Sequence, residues 1–514
     1  MTLVRSSSQR GVTYPRWLII PATVALLFLI VPMIAVFIRT PWTDFFPLLA
    51  TEEAQDALWL SLRTCIVSTI IATLVGVPLA VLLAKNEQTR WAKVVKVFVV
   101  LPMVLPPVVA GLALLLAWGR MGLLGRHLDA MGITIGFSTL AVIFAQVFVS
   151  MPFLVLSLEG ALRSQGDDYD RTAQALGASR TRTFFLVSIP VMFPALISGV
   201  ALSFSRALGE FGATITFAGS LQGTTRTMPL EIYLRRETAT DQALALAVVL
   251  IVLAMAMFAL STINPHAPRR IRRRSRIKPT DSAASETQIA HLAGQQKGKQ
   301  APSIHVDARI AERKVDLQVD IGAGSSVSIM GDNGSGKSTL LGLISGMLLP
   351  DDGTVSFDPP GASVVLLEQR ALLFPHMSVL ENVEFGLRAH GVSRENARTT
   401  AMAELAIVGM SDLADRPATQ LSGGQAQRVA LARAMAIEPD VVLLDEPFSG
   451  LDAENVERVQ ESIAARLSHA NVTTLMVTHD PLAAETLTEE LIIIRAGRVV
   501  KHRPIASDKA KQGA

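Results

Sequence analysis

The sequence predicts a multi-domain chain, an all-α polytopic membrane domain of six helices followed by an α/β domain. Three observations predict it. Half of the 514 residues are hydrophobic and only 18% are charged, against about 25% charged in ordinary soluble domains. Apolar runs of spanning length crowd the first half. From residue 303 onward, short β-rich runs alternate with stretches rich in Ala, Leu, Glu and Arg, the pattern of a mostly parallel sheet.

The six runs are 17–38, 58–84, 94–118, 137–158, 184–208 and 242–263. About 20 residues of helix cross a hydrocarbon core, so each is long enough. A soluble bundle would not supply six such lengths in succession. The first run follows Arg5, Arg10 and Arg16. It is too long for a signal peptide and no small-residue cleavage site follows, so it reads as a retained helix.

Loop charge sets the expected orientation. With the N-terminus in the cytoplasm, the inner loops carry Arg5, Arg10, Arg16, Lys85, Arg90, Lys93, Lys96, Arg163, Arg171, Arg180 and Arg182. The outer ones carry Arg39, Arg120, Arg126, Arg226, Arg235 and Arg236. Cations concentrate on the cytoplasmic side of membrane proteins, which favours N-in and C-in. All five tryptophans, Trp17, Trp42, Trp59, Trp91 and Trp118, lie at or near helix ends, where interfacial anchors belong.

The basic cluster 269-RRIRRRSRIK-278 directly follows the sixth run. It reads as a cytoplasmic anchor for anionic membrane lipid. The net charge of +3 gives no ground for a nucleic-acid partner. A single cysteine, Cys65, excludes an intrachain disulfide framework and a multi-cysteine metal site. The expected domains are 1–265 in the membrane, 266–302 as a polar linker, 303–505 as the α/β domain and 506–514 as a tail.

The chemistry lies in the α/β domain. Strand 326–330 runs into 331-GDNGSGKST-339 and then an apolar helical stretch. Such a loop surrounds a phosphate with backbone N–H groups at a helix N-terminus. The candidate nucleotide-binding set is Gly331, Asn333, Gly334, Ser335, Gly336, Lys337, Ser338 and Thr339. Lys337 suits the β- and γ-phosphates, and Ser338 suits Mg²⁺. An apolar strand, 441–444, ends in Asp445-Glu446. Asp445 reads as the metal-side acid, and Glu446 as the group that polarises the attacking water.

Further motifs occur in a fixed order. They are 421-LSGGQAQR-428, Gln369 in 367-LEQRALLFPHMSV-379, Ser449-Gly450-Leu451-Asp452, and His479 in 477-VTHD-480. Together with the phosphate loop they resemble the ATPase of ATP-binding-cassette (ABC) transporters. The resemblance implies a P-loop NTPase fold, ATP and Mg²⁺ as ligands, and Gln369, Glu446 and His479 as catalytic groups. Ser338, Gln369 and Asp445 would hold the metal. It also implies a head-to-tail dimer, with Ser422, Gly423, Gly424 and Gln425 of one copy, and Asp452 near them, closing over ATP on the other. Family members stack adenine on an aromatic upstream of the loop. Residues 280–330 contain none, which leaves Arg309, Ile310 or Arg313 to cover the base.

The cytoplasmic loop 170-DRTAQALGASRTRTFFLVSIP-190 resembles the coupling loop of ABC import permeases. Ala173, Gly177, Ile189 and Pro190 match, whereas Arg171 and Thr172 depart from the usual Glu-Ala. The segment 206-RALGEFGATITFAGSLQGTTRTMPLEIY-233 resembles the permeases of molybdate, tungstate and sulfate importers. Arg206 and Glu210 there fit either a substrate path or an internal ion pair. The whole therefore resembles a type I importer permease fused to its ATPase. That implies a homodimer in the cytoplasmic membrane, an oxyanion substrate and an extracytoplasmic binding protein. A ferric iron or thiamine importer is the alternative, followed by an exporter or a non-transporting, ATP-gated membrane protein.

Overall fold

The computed structural model describes residues 16–262, 301–448 and 471–505, with a few positions between 456 and 467. The tail 506–514 and nearly all of the linker 266–302 lie outside the described residues. The chain divides into two compact units, one formed by 1–164 with 192–265 and the other by 165–191 with 266–514. The segment 165–191 thus groups with the α/β domain rather than with the helices that flank it in sequence.

The first unit is helical. Its elements are α1 (Ile19–Arg39), α2 (Phe45–Leu49), α3 (Glu52–Lys85), α4 (Arg90–Val104), α5 (Pro107–Trp118), α6 (Gly125–Ala130) and α7 (Thr139–Gln165). The short helices α8 (Asp168–Ala175) and α9 (Arg180–Thr183) belong to the second unit. They lead through a π-helical turn, Phe184–Ser188, into α10 (Ile189–Leu208), and α11 (Gly212–Ala218), α12 (Met228–Arg235) and α13 (Thr240–Thr262) follow. Five stretches are long and apolar enough to cross a membrane, and the pair α4–α5 makes a sixth if counted as one.

That pair corrects one expectation. The run 94–118 reads as a single helix, but α4 and α5 meet at 118°. Leu105 and Pro106 are extended, both with ψ of 136°. Proline excludes the helical conformation from the residue before it and lacks an N–H to continue the ladder. The consecutive prolines Pro106 and Pro107 therefore stop one helix and start the next.

Large apolar side chains such as Phe28, Leu74, Phe98 and Phe258 face outward, as lipid-facing residues do. Inside, small residues permit close approach. A Cβ on Gly111 of α5 would lie 2.8 Å from the Ala213 carbonyl oxygen of α11. Buried beside this contact are Ala110, Leu114, Ala141, Ala145 and Phe217. Of the two readings open for Arg206 and Glu210, the structure contains the ion pair, at 2.7 Å with the Glu210 side chain buried. Glu210 also accepts the Ala213 N–H at the start of α11.

In the second unit, β1 (Ser303–Ile310), β2 (Val315–Ile321) and β4 (Asp352–Asp358) form an antiparallel sheet in the order β2-β1-β4. A six-stranded sheet runs β5-β6-β7-β3-β8-β9, from β3 (Ser326–Met330), β5 (Val364–Leu367), β6 (Val441–Asp445), β7 (Thr473–Val477), β8 (Glu490–Arg495) and β9 (Arg498–Pro504). Only β9 is antiparallel to its neighbour. The remaining helices are α14 (Lys337–Ile344), α15 (Val379–Ala389), α16 (Arg394–Ile407), α17 (Gly423–Ala436) and α18 (Pro481–Leu487). Strands β6 and β7 are fully apolar or buried because helices cover both faces of the sheet.

Gly111→Ala should overpack the α5–α11 contact and cost about 1–3 kcal/mol. Thermal unfolding of the full chain in detergent should show a lowered midpoint, with nucleotide binding retained.

Candidate functional site

Three neighbouring strands of the parallel sheet, β6, β7 and β3, end at one edge. Ligands of open α/β sheets bind outside that carboxyl edge. The phosphate loop follows β3, Glu446 follows β6, and His479 follows β7. Sequence-distant groups thus meet because their strands are adjacent.

Backbone geometry shapes the loop first. Gly331, Gly334 and Gly336 have φ of 155°, 77° and 111°. A Cβ on Gly331 would lie 2.2 Å from the Ile494 carbonyl oxygen, so no other residue fits there. Lys337 opens α14 and is buried, with its Nζ donating to the Gly331 and Asp332 carbonyls at 2.8 and 3.0 Å. These bonds hold the ammonium inside the loop's curve. Ser335 Oγ is buried with no hydrogen-bond partner among the described residues, and Thr339 is buried in the first turn of α14.

Ser338 and Asp445 share a side-chain hydrogen bond. Burial pushes the Asp445 carboxyl up; that bond and the Lys337 charge oppose the shift, and Glu446 adds to it. A buried ammonium, an unpartnered hydroxyl and a carboxylate beside a serine hydroxyl fit a phosphate chain with a hard divalent cation.

Glu446 is the centre of the second group. Its backbone N–H donates to Val477 O, and it adopts a φ of 46°, an unusual conformation for a non-glycine residue. Gln369 Nε2 donates to one carboxylate oxygen at 3.3 Å, and His479 Nε2 lies 3.1 Å from the other. The structure therefore brings together Gln369, Glu446 and His479.

It does not bring the signature residues to them. Ser422 caps α17 in a reciprocal box with Gln425. Among the described residues, these two hydrogen-bond to each other and to no member of the Lys337 group. Gly423 and Gly424 form the first turn of the same helix. Asp452 lies outside the described residues, and Asn333 and Gly334 are exposed.

A cavity of about 740 Å³ opens beside the site, lined by Ser338, Gln369 and Asp445 on one side and Arg171 and Gln174 on another. Arg313 also lines it. Ile310 is buried in the core and Arg309 points to the exposed side of β1. Of the three residues left to cover the base, Arg313 alone borders this cavity.

The segment 168–191 packs onto this same unit. Ala173, Leu176, Ala178 and Val187 are buried against Phe374 and Phe385. Gly177 takes a φ of 85° between α8 and α9. Ile189 and Pro190 begin α10 and are partly buried. Sequence reasoning missed Phe374, Phe385 and Arg433. Arg433 is buried, donates to Leu372 O at 2.7 Å and lies 5.3 Å from the Phe374 ring centroid. Burial lowers its pKa to about 10, while the Glu368 carboxylate works the other way. The signal available was the run Leu373-Phe374-Pro375, apolar and next to Gln369, but its partners are remote in sequence.

Two family models match the chain. "Binding-protein-dependent transport system inner membrane component" covers residues 76–273, and "ABC transporter" covers 315–449. The membrane half is 50% identical over 240 residues to the molybdenum transport system permease protein ModB of Mycobacterium tuberculosis, spanning 47% of this chain and 90% of ModB. The ATPase half is 37% identical over 221 residues to the molybdenum import ATP-binding protein ModC of the same species, spanning 40% of this chain and 60% of ModC. It is 42% identical over 199 residues to the sulfate/thiosulfate import ATP-binding protein CysA of Thermosynechococcus vestitus, spanning 37% of this chain and 58% of CysA. The chain thus spans about three fifths of these ATP-binding relatives.

Lys337→Ala should weaken ATP binding by at least about tenfold, the worth of hydrogen bonds to a charged group. Equilibrium binding of a fluorescent ATP analogue checks this, and unchanged affinity would count against the loop.

Proposed function

Because the chain belongs to the ABC transporter family, as a binding-protein-dependent permease continuous with an ATPase, we propose that it imports a tetrahedral oxyanion. Molybdate or tungstate comes first and sulfate next. The names of the relatives support this choice, ModB on the membrane half above all. ATP hydrolysis drives the transport. The protein works in the cytoplasmic membrane with its N-terminus and ATPase inside, as the distribution of loop cations supports. It acts as a homodimer, since each chain carries one permease half and one ATPase, and takes its substrate from an extracytoplasmic binding protein.

Each site residue has a task in this reading. Lys337 and the loop N–H groups hold the phosphates, and Ser335 adds a hydroxyl. Ser338, Asp445 and Gln369 would hold Mg²⁺, which would neutralise charge on the phosphate oxygens. Glu446 orients the attacking water and accepts its proton. Gln369 and His479 fix the carboxylate on both oxygens, so its direction is set before the reaction. Ser422, Gly423, Gly424 and Gln425, with Asp452, complete the site of the second copy, and Ser422 and Gly423 are exposed at the N-terminus of α17.

One observation carries the transport reading. The permease segment 168–191 belongs to the unit that holds the nucleotide site, with Ala173, Leu176, Ala178 and Val187 buried there, and Gln369 lies in the chain segment that leads to Phe374. A change at Glu446 is therefore linked through the Gln369 segment to the membrane domain's own loop.

Glu446→Gln should lower hydrolysis by about 10²–10⁴, the usual worth of a general base, with ATP still bound. Cellular Mo, W and S, read by elemental mass spectrometry with the cognate binding protein present, should show Mo or W accumulation that this substitution abolishes. Equal accumulation of all three in both strains would overturn the oxyanion reading and favour iron or thiamine.

A further inference from the structure

The carboxyl end of α15 leaves its last carbonyl groups without partners inside the helix, as every α-helix does. Helices commonly satisfy them with a following glycine or with a nearby cation, which also meets the negative end of the helix dipole. Here both are present: Gly391, at a φ of 84°, donates its N–H to Arg388 O at 3.2 Å and Val392 N–H reaches Leu387 O at 3.1 Å, and a cation from a remote segment adds to this cap. Arg182 Nη1 donates to the carbonyls of Arg388 and Ala389 at 2.9 and 3.1 Å, across more than 200 residues of sequence. Arg182 belongs to α9, and α9 is itself anchored by Ser179, whose hydroxyl accepts the Arg182 N–H.

Two contacts flank this one. His376 Nε2 lies 2.9 Å from Leu186 O, on the far side of Arg182 in the loop. His390, immediately after α15, covers Gly177: a Cβ there would lie 2.4 Å from the imidazole. Its Nδ1 faces Gly386 O at 2.9 Å, so α15 itself fixes the ring. The loop is thus held at Gly177, Arg182 and Leu186, two of the three at the end of α15.

We propose that Arg182 is a positioning residue that locks the loop 168–188 onto the ATPase by capping α15 from outside that helix. Apolar burial of Leu176 and Val187 supplies attraction but little direction, because the hydrophobic effect is non-directional. The two charge-assisted hydrogen bonds supply the direction. They fix how far the loop sits along α15, and so how fully motion of the ATPase reaches α10. This rests on the coupling role proposed above for the loop.

The test uses the full chain in lipid nanodiscs and in cells given molybdate as the probe. Arg182→Ala should raise amide hydrogen exchange across 168–188 by about tenfold, matching the loss of hydrogen bonds to a charged group. Basal ATP hydrolysis should stay within about twofold, which also shows that the variant is folded. Molybdenum taken up per ATP hydrolysed should fall by about tenfold. Arg182→Lys, which keeps the charge and a single donor nitrogen able to serve both carbonyls, should recover most of both losses. Unchanged exchange in Arg182→Ala would overturn the proposal. So would raised exchange with unchanged uptake per ATP. In either case Gly177→Asp separates the two ideas: reduced uptake leaves the coupling reading intact, and unchanged uptake removes it as well.

Discussion

The burial of Ala173, Leu176, Ala178 and Val187 against Phe374 and Phe385 is the contact on which the rest depends. Leu176 and Val187 each contribute about 1.5–3 kcal/mol on full burial. These side chains belong to a loop between two membrane helices, yet they complete the core of a nucleotide-binding unit. The segment is continuous in sequence with α7 on one side and α10 on the other. The Phe374 ring is in turn faced by the Arg433 guanidinium. An Arg buried this deeply is costly unless partnered, and its bond to Leu372 O satisfies part of that need.

The reacting edge is connected to this contact by a short stretch of chain. Gln369 touches Glu446, and Phe374 lies five residues further on. Arg171 of the loop and Glu368 line the cavity beside Gln369, and Glu368 and Arg433 line a smaller one. Burial pushes the Glu368 carboxyl up, Asp168 and Asp445 push the same way, and Arg171 and Arg433 oppose them. The Glu368 carboxyl thus responds electrostatically both to Asp445 and to the segment 168–188. Arg171 occupies a position where related loops carry Glu. The Arg171 charge there opposes the rise that burial gives the Glu368 carboxyl.

Much of the motor was legible because its residues are local in sequence. The loop 331–339, the Asp445-Glu446 pair and His479 could each be placed after a strand from the pattern alone. Their meeting depends on strand order, β6-β7-β3, which no single segment encodes. The bend between α4 and α5 was missed because hydropathy runs straight through it, although Pro106 and Pro107 mark it. The loop itself was recognisable from Gly177 and Pro190, but its partners were not. Phe385, Arg388 and His390 lie some 200 residues away on a helix whose capping box, Ser378 with Glu381, accounts for its start without reference to the membrane. Arg206 with Glu210 shows the same limit, since spacing on a helix permits an ion pair without deciding it.

The central claim is that loop and ATPase form one body through the catalytic cycle, so that motion of the motor is passed on rather than absorbed. Spin labels at the exposed positions Thr181, in α9, and Glu395, in α16, lie on the two sides of the contact. Electron–electron resonance distances between them, in the full chain carrying Glu446→Gln, test the claim directly. With the labelled chain diluted into unlabelled chain, the distance within one copy should stay narrow and unchanged when ATP is added. A second, longer distance within one copy on adding ATP would mean that the loop leaves its seat, and would contradict the claim.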